Sequence, residues 1–205
     1  MAGNRISPRA THLFIAAIAL AAHLLALAQS ASRDLLNSER IAATFGSYGV
    51  EVLEQNEAIR VSNLFSGEGE GRVCRTFAVV RYAPTIDPAI SQEHAAIVAG
   101  GSIGAVFAAQ GWEVRKTHLR YGERAATAKL ASLMRVAVGT PLAEHFYVLD
   151  VVKEGRRIEY AALVEIHHPD YLGPQELVAI YGPPAGNERS ELVAVLRATA
   201  AEHER

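Results

Sequence analysis

The segment from Ile158 to Pro169, IEYAALVEIHHP, constrains the fold more than any other part of the chain. It alternates as a half-buried β-strand does. Ile158, Tyr160, Ala162, Val164 and Ile166 fall on one face; Glu159, Ala161, Leu163, Glu165 and His167 fall on the other. Pro169 cannot donate to a ladder and ends the strand. The second face is small, then apolar, then acidic as the strand closes. A carboxylate beside Leu163 at a strand end suits the mouth of a pocket, and it suits a solvated rim equally well.

Other strands and helices follow in order. Tyr48 to Glu54, Ile59 to Phe65 and Arg72 to Tyr82 read as strands, the last two a hairpin around SGEGEG. In Ile59 to Phe65, the residues Arg60, Ser62 and Leu64 share one face. Trp112 to Arg120 alternates again, with Val114, Lys116 and His118 on one side. Phe146 to Lys153 and Arg156 to His167 form a second hairpin around Glu154-Gly155. Helices are predicted up to Phe45, capped by Asn37 or Ser38, and from Asp87-Pro88 to Gly100-Gly101. Further helices are predicted over Ile103 to Gln110 behind Ser102, over Ala125 to Val136, and over Ser190 to Glu202 with Leu192, Val195 and Leu196 as its core stripe. Leu172 to Ile180 fits neither period. This order implies an α+β domain over residues 33–205, an antiparallel sheet with helices packed on one face.

A chain of 205 residues is long enough for one domain with a real core. A net charge of −2 argues against a nucleic-acid footprint. Residues 1–28 look like a signal peptide: Arg5 and Arg9, an apolar run from Leu13 broken only by His23, then Ala26-Leu27-Ala28. Cleavage starts the mature chain near Gln29 and places it in the periplasm or outside the cell. An uncleaved segment makes it a membrane anchor, and a downstream start leaves a cytoplasmic protein. Cys74 is the one cysteine and suits a small core residue.

Three features suit an anionic ligand: Arg60, the GGSIG turn into a helix at Ser102, Ile103 and Gly104, and Glu165 as a proton-transfer group. GGSIG lacks the Lys-Ser/Thr of a Walker loop. His167 and His168 are adjacent in a strand and point to opposite faces, so no metal site is expected there. His94, His118 and His145 are scattered along the chain.

The run IRVSNLFSGEGEGRVCRTFAVV resembles the central hairpin of bacterial chorismate pyruvate-lyases. Arg60 falls at that family's catalytic arginine and Arg75-Thr76 at its Arg-Thr pair. GGSIGAVF is similar to the segment whose backbone meets a ligand carboxylate, with Ile103 at the place of the contacting leucine. LVEIHHP is similar to the end of the last long strand, with Glu165 at the catalytic glutamate. The stretch from Lys129 to Pro169 resembles equally the UTRA effector domain of GntR-type repressors, which shares the chorismate lyase-like fold and binds small molecules without turnover. The first resemblance implies loss of pyruvate from chorismate or a related carboxylate to give 4-hydroxybenzoate, with no metal and no cofactor. The second implies a small anionic or aromatic ligand and no reaction. A monomer is the expected state. One departure is clear: the lyases' basic pair early in the penultimate strand is missing from AEHFYVLD, and Arg156-Arg157 stands at the following turn instead.

Overall fold

The computed structural model describes residues 36–186 and 189–204; the leader expected at residues 1–28 lies outside them. The described residues contain six α-helices and six strands. They run α1 (Asn37–Phe45), β1 (Gly49–Gln55), β2 (Ile59–Ser66), β3 (Val73–Tyr82), α2 (Ser91–Val98), α3 (Ile103–Ala109), β4 (Glu113–Ala125), α4 (Ala128–Met134), β5 (Pro141–Lys153), β6 (Arg156–His167), α5 (Pro174–Tyr181) and α6 (Ser190–His203). No helix among them is long and apolar enough to cross a membrane.

The strands form one antiparallel sheet in the order β1-β2-β3-β6-β5-β4. Two three-stranded meanders are joined where β3 lies against β6. The tight β5–β6 turn works because Glu154 and Gly155 both take positive φ, 51° and 79°.

The α+β class with an antiparallel sheet is as expected, but helices cover both faces of the sheet. The reason lies in β3 and β6, whose two alternations are both apolar and both need cover. Phe77, Val79, Val164 and Ile166 pack against Leu130 and Met134 of α4 and Val193, Leu196 and Ala200 of α6. Val80, Tyr147, Leu149 and Leu163 face the other way, toward Ile97 of α2 and Phe107 of α3. Ile41 of α1 and Leu177 of α5 cover Ala143 on that side.

Several local expectations are corrected. Leu36 takes the N-cap position of α1, and Asn37 is already helical. The Glu39 carboxylate reaches back to the Leu36 N–H at 2.8 Å and does the capping. Asp87 accepts from the Ala89 N–H, but it opens a short 3₁₀ turn, Pro88–Ile90, and α2 starts only at Ser91. β4 continues to Ala125, where a helix was expected to begin, because its pairing with β5 persists to Pro141. In α6 the buried stripe is Val193, Leu196 and Ala200, while Val195 is 43% exposed.

The alternation of β6 breaks once. Leu149 pairs with Ala161 and Asp150 with Glu159, which leaves Tyr160 as an extra residue in the β6 ladder. Ala162, Val164 and Ile166 keep to their predicted face, whereas Ile158 and Tyr160 join Ala161 and Leu163 on the α2–α3 side. There the Tyr160 ring lies 4.8 Å from that of Phe107, and its hydroxyl meets His94 Nδ1 at 3.1 Å.

Candidate functional site

Strand register builds the site. On the face under α1 and α3, Arg60 pairs with Val80, Val80 with Leu163, and Leu163 with Tyr147. One step along, Ser62 pairs with Ala78, Ala78 with Glu165, and Glu165 with His145. A third row carries Leu64, Thr76 and His167. The middle row is small at Ser62 and Ala78, so the face is hollow where these strands meet.

Over this hollow lies a cavity of about 230 Å³. Arg60, Ser102, Ile103, Gly104 and Glu165, the five residues singled out from the sequence, all line it. Asn37 and Ser38 close one side, and Val80, Leu149 and Leu163 make an apolar floor. Lys116 and Tyr147 complete the opposite wall.

Arg60 is only 6% exposed, and its Nη1 donates to the Gly101 carbonyl at 2.7 Å. That bond ties β2 to the glycine-rich corner between α2 and α3. Gly101 is needed at this corner, since a Cβ there would stand 2.8 Å from the Ala96 carbonyl oxygen. Ser102 occupies the N-cap position of α3 without making a side-chain cap bond. Leu36 packs onto Gly104, where a Cβ would meet it at 3.2 Å. Among the described residues neither Arg60 nor Lys116 is ion-paired. The Lys116 ammonium lies over the Tyr147 ring at 4.8 Å. Lys116 was visible in the sequence only as one polar position in an alternating strand.

Glu165 is 4% exposed and is no rim residue. Its Oε1 accepts from Asn37 Nδ2 at 3.0 Å. Asn37 Nδ2 also reaches Thr76 Oγ1 at 3.3 Å, and Asn37 Oδ1 accepts from the Tyr171 hydroxyl at 2.5 Å. The residue expected to cap a helix is therefore the polar link between α1, β3 and β6.

The other oxygen, Oε2, faces two imidazoles. His145 Nδ1 lies 3.7 Å from it and His167 Nε2 3.8 Å, both beyond hydrogen-bond reach. His167 and His168 do diverge as predicted, and His168 Nδ1 accepts from the Asp170 N–H. His167 converges instead with His145 of the neighbouring strand. His118 and His145, distant in sequence, stack with ring centroids 4.9 Å apart, their Nδ1 and Nε2 separated by 2.7 Å. Burial pushes the His145 imidazole well below its ordinary range, and it pushes His118 and His167 down to about 4. Burial, reinforced by the facing Glu165 carboxylate, holds the Tyr147 hydroxyl protonated well above its usual value.

Comparison with known proteins adds partial likenesses only. No family model matches the sequence, and no curated protein matches it. Among solved structures, the chain is similar to the ligand-binding domain of a proposed GntR-family transcriptional regulator from Bordetella bronchiseptica, with 12% identity, 60% of this chain, 87% of that chain and a TM-score of 0.43. A GntR-family regulator from Enterococcus faecalis V583 gives 12% identity, 62% and 93% coverage and a TM-score of 0.40. The C-terminal domain of Yurk from Bacillus subtilis gives 13%, 61%, 90% and 0.36. Likenesses of this size leave the function to be argued from the cavity itself.

Proposed function

We propose that this chain binds a small anionic molecule with an aromatic or cyclic body in the cavity under α1 and α3. One observation carries the reading: Arg60 and Lys116 line the cavity from β2 and β4, neither ion-paired among the described residues, with Val80, Leu163 and Leu149 between them. Two cations flanking an apolar floor suit a ligand with acidic ends and a flat apolar middle. Desolvating Arg60 without a carboxylate partner is costly unless an anion compensates it. The test is calorimetric titration of the purified protein with benzoate and 4-hydroxybenzoate, beside a neutral control such as benzyl alcohol. Saturable heat for the acids and none for the alcohol is expected. Equal responses to all three overturn the reading.

A second reading is chorismate-lyase-type turnover, favoured by Arg60 and Glu165 facing one cavity. Glu165 would move the proton while Arg60 holds a carboxylate. Chorismate mixed with the protein should then release pyruvate, detected with lactate dehydrogenase, and Glu165→Gln should stop it. Absence of pyruvate above the buffer rate removes this reading and leaves binding intact.

A further inference from the structure

The most unusual group in the molecule is the trio His145, Glu165 and His167. All three are buried, and one donor atom from each lies within 4.8 Å of the other two. His145 Nδ1 and His167 Nε2 have no hydrogen-bond partner although both are sealed from solvent. Two unsatisfied imidazole nitrogens aimed at one carboxylate oxygen are an expensive arrangement for a core to keep empty-handed. We propose that His145 Nδ1, His167 Nε2 and Glu165 Oε2 bind one divalent transition-metal ion, zinc or an ion of similar size, beside the cavity where Glu165 lines it. The proposal stands apart from the anion reading and needs no organic ligand.

Sheet geometry brings the donors together. Glu165 and His167 are two apart on β6 and so share a face, and His145 is the direct cross-strand partner of Glu165. Two donors at about 2.1 Å from one ion at a tetrahedral angle stand about 3.4 Å apart. Glu165 Oε2 already stands 3.7 and 3.8 Å from the two nitrogens, and the two nitrogens lie within 4.8 Å of each other, so an ion between them has to draw the imidazoles together.

The surroundings set each donor in its ligating form. His145 offers Nδ1 if its proton is on Nε2, and Nε2 lies 2.7 Å from His118 Nδ1, which accepts it. His167 offers Nε2 if its proton is on Nδ1, and that nitrogen lies 3.1 Å from Thr76 Oγ1. Asn37 holds Glu165 Oε1 and leaves Oε2 toward the histidines. Every ligand thus has an outer partner that fixes its orientation, as metal ligands generally do. Two imidazoles and a carboxylate select zinc, iron(II) or cobalt(II) over calcium or magnesium. Glu165 lines the cavity, so a further ligand on the ion has a place to enter.

The test uses the purified chain, stripped with chelator, dialysed and titrated with cobalt(II) and then zinc. One cobalt per chain with the visible ligand-field absorption of four- or five-coordinate cobalt, displaced by zinc, is expected. Thr76→Val should weaken zinc binding roughly tenfold to a hundredfold, and folded His167→Gln should lose the absorption. No cobalt spectrum and no zinc retained through dialysis overturns the proposal, as does an unchanged spectrum in folded His167→Gln. Should that variant not fold, X-ray absorption of the zinc-loaded natural chain decides: two imidazoles with oxygen donors support the site, and a single imidazole or none overturns it.

Discussion

His145 and Glu165 face each other across β5 and β6 because of a bulge further along the same hairpin. At the turn, Lys153 pairs with Arg156. Counted back without interruption, that register sets Glu144 opposite Glu165. The extra residue at Tyr160 shifts it by one and sets His145 there instead. Glu144 turns to the other face, where Arg124 and Arg197 hold it at 3.5 and 2.6 Å. One residue of slippage therefore separates a histidine–carboxylate site from two carboxylates opposed across the ladder.

Asn37 links Glu165, Thr76 and Tyr171 in a buried polar network. Asn37→Ala takes the amide away from Glu165, Thr76 and Tyr171, with Thr76 keeping only His167 Nδ1 and Tyr171 only the residue 37 carbonyl, and a loss of about 1–3 kcal/mol is expected. Urea unfolding with an unchanged slope measures it. Ser38→Ala, at the other candidate cap, should change little, because Glu39 does the capping.

How far the sequence reveals the site depends on how local each signal is. Arg60, Ser62 and Leu64 share a face by simple alternation, and all three line the cavity. Leu163 and Glu165 follow the same rule on β6. The glycine-rich corner announces itself by composition. What stayed hidden depends on register between distant strands. Tyr160 carries no glycine or proline to mark a bulge, so His145 could not be placed opposite Glu165. Lys116 becomes a cavity residue only once β4 pairs with β5. Asn37 looked like a cap because its partners lie on β3, on β6 and beyond β6. The second helix layer follows from apolar residues on both faces of β3 and β6, and the expectation of a strand over Arg72 to Tyr82 leaves its two faces unsorted.

Ala78 sits beside Glu165 in the small middle row and is buried. Ala78→Leu should fill the cavity and abolish binding of 4-hydroxybenzoate. Overpacking costs about 1–3 kcal/mol, so a cooperative melt should survive. Calorimetry of the folded variant checks this; full binding would place the ligand elsewhere.

Cys74 is buried on β3, and burial pushes its thiol up to about 12. At pH 8 only about one molecule in ten thousand then carries the thiolate. Iodoacetamide should leave the native protein unlabelled for hours and modify it fully in urea. Mass spectrometry of intact protein reads both states. Rapid native labelling would mean that β3 opens locally.

Glu204 follows the last residue of α6 and is 3% exposed. Burial pushes its carboxyl up to about 7, even though Arg124 nitrogens lie 2.7 Å from both its oxygens. The folded chain therefore holds this proton more tightly than the unfolded chain, where a glutamate titrates near about 4.3. The contribution is fully present below about 4.3 and falls as pH rises toward 7. Measured as wild type minus Glu204→Gln, so that other titrating groups cancel, stability should drop by at most about 3 kcal/mol from pH 4.5 to 8. A flat difference would show that the Arg124 pair offsets burial.

Arg60 and Lys116 serve the proposed anion differently, and substitutions separate their roles. Arg60 also donates to the Gly101 carbonyl, so Arg60→Met removes a charge and loosens the corner before α3. Both affinity and melting temperature should fall. Lys116 makes no hydrogen bond among the described residues and rests over Tyr147, so Lys116→Met keeps most of the packing and removes the charge alone. Losing one charge-assisted contact of about 1.5–3 kcal/mol corresponds to roughly tenfold to hundredfold weaker binding of 4-hydroxybenzoate. The melting temperature should stay nearly constant. Binding unchanged in Lys116→Met while Arg60→Met loses it would assign the carboxylate to the β2 side of the cavity and leave the β4 wall to shape alone.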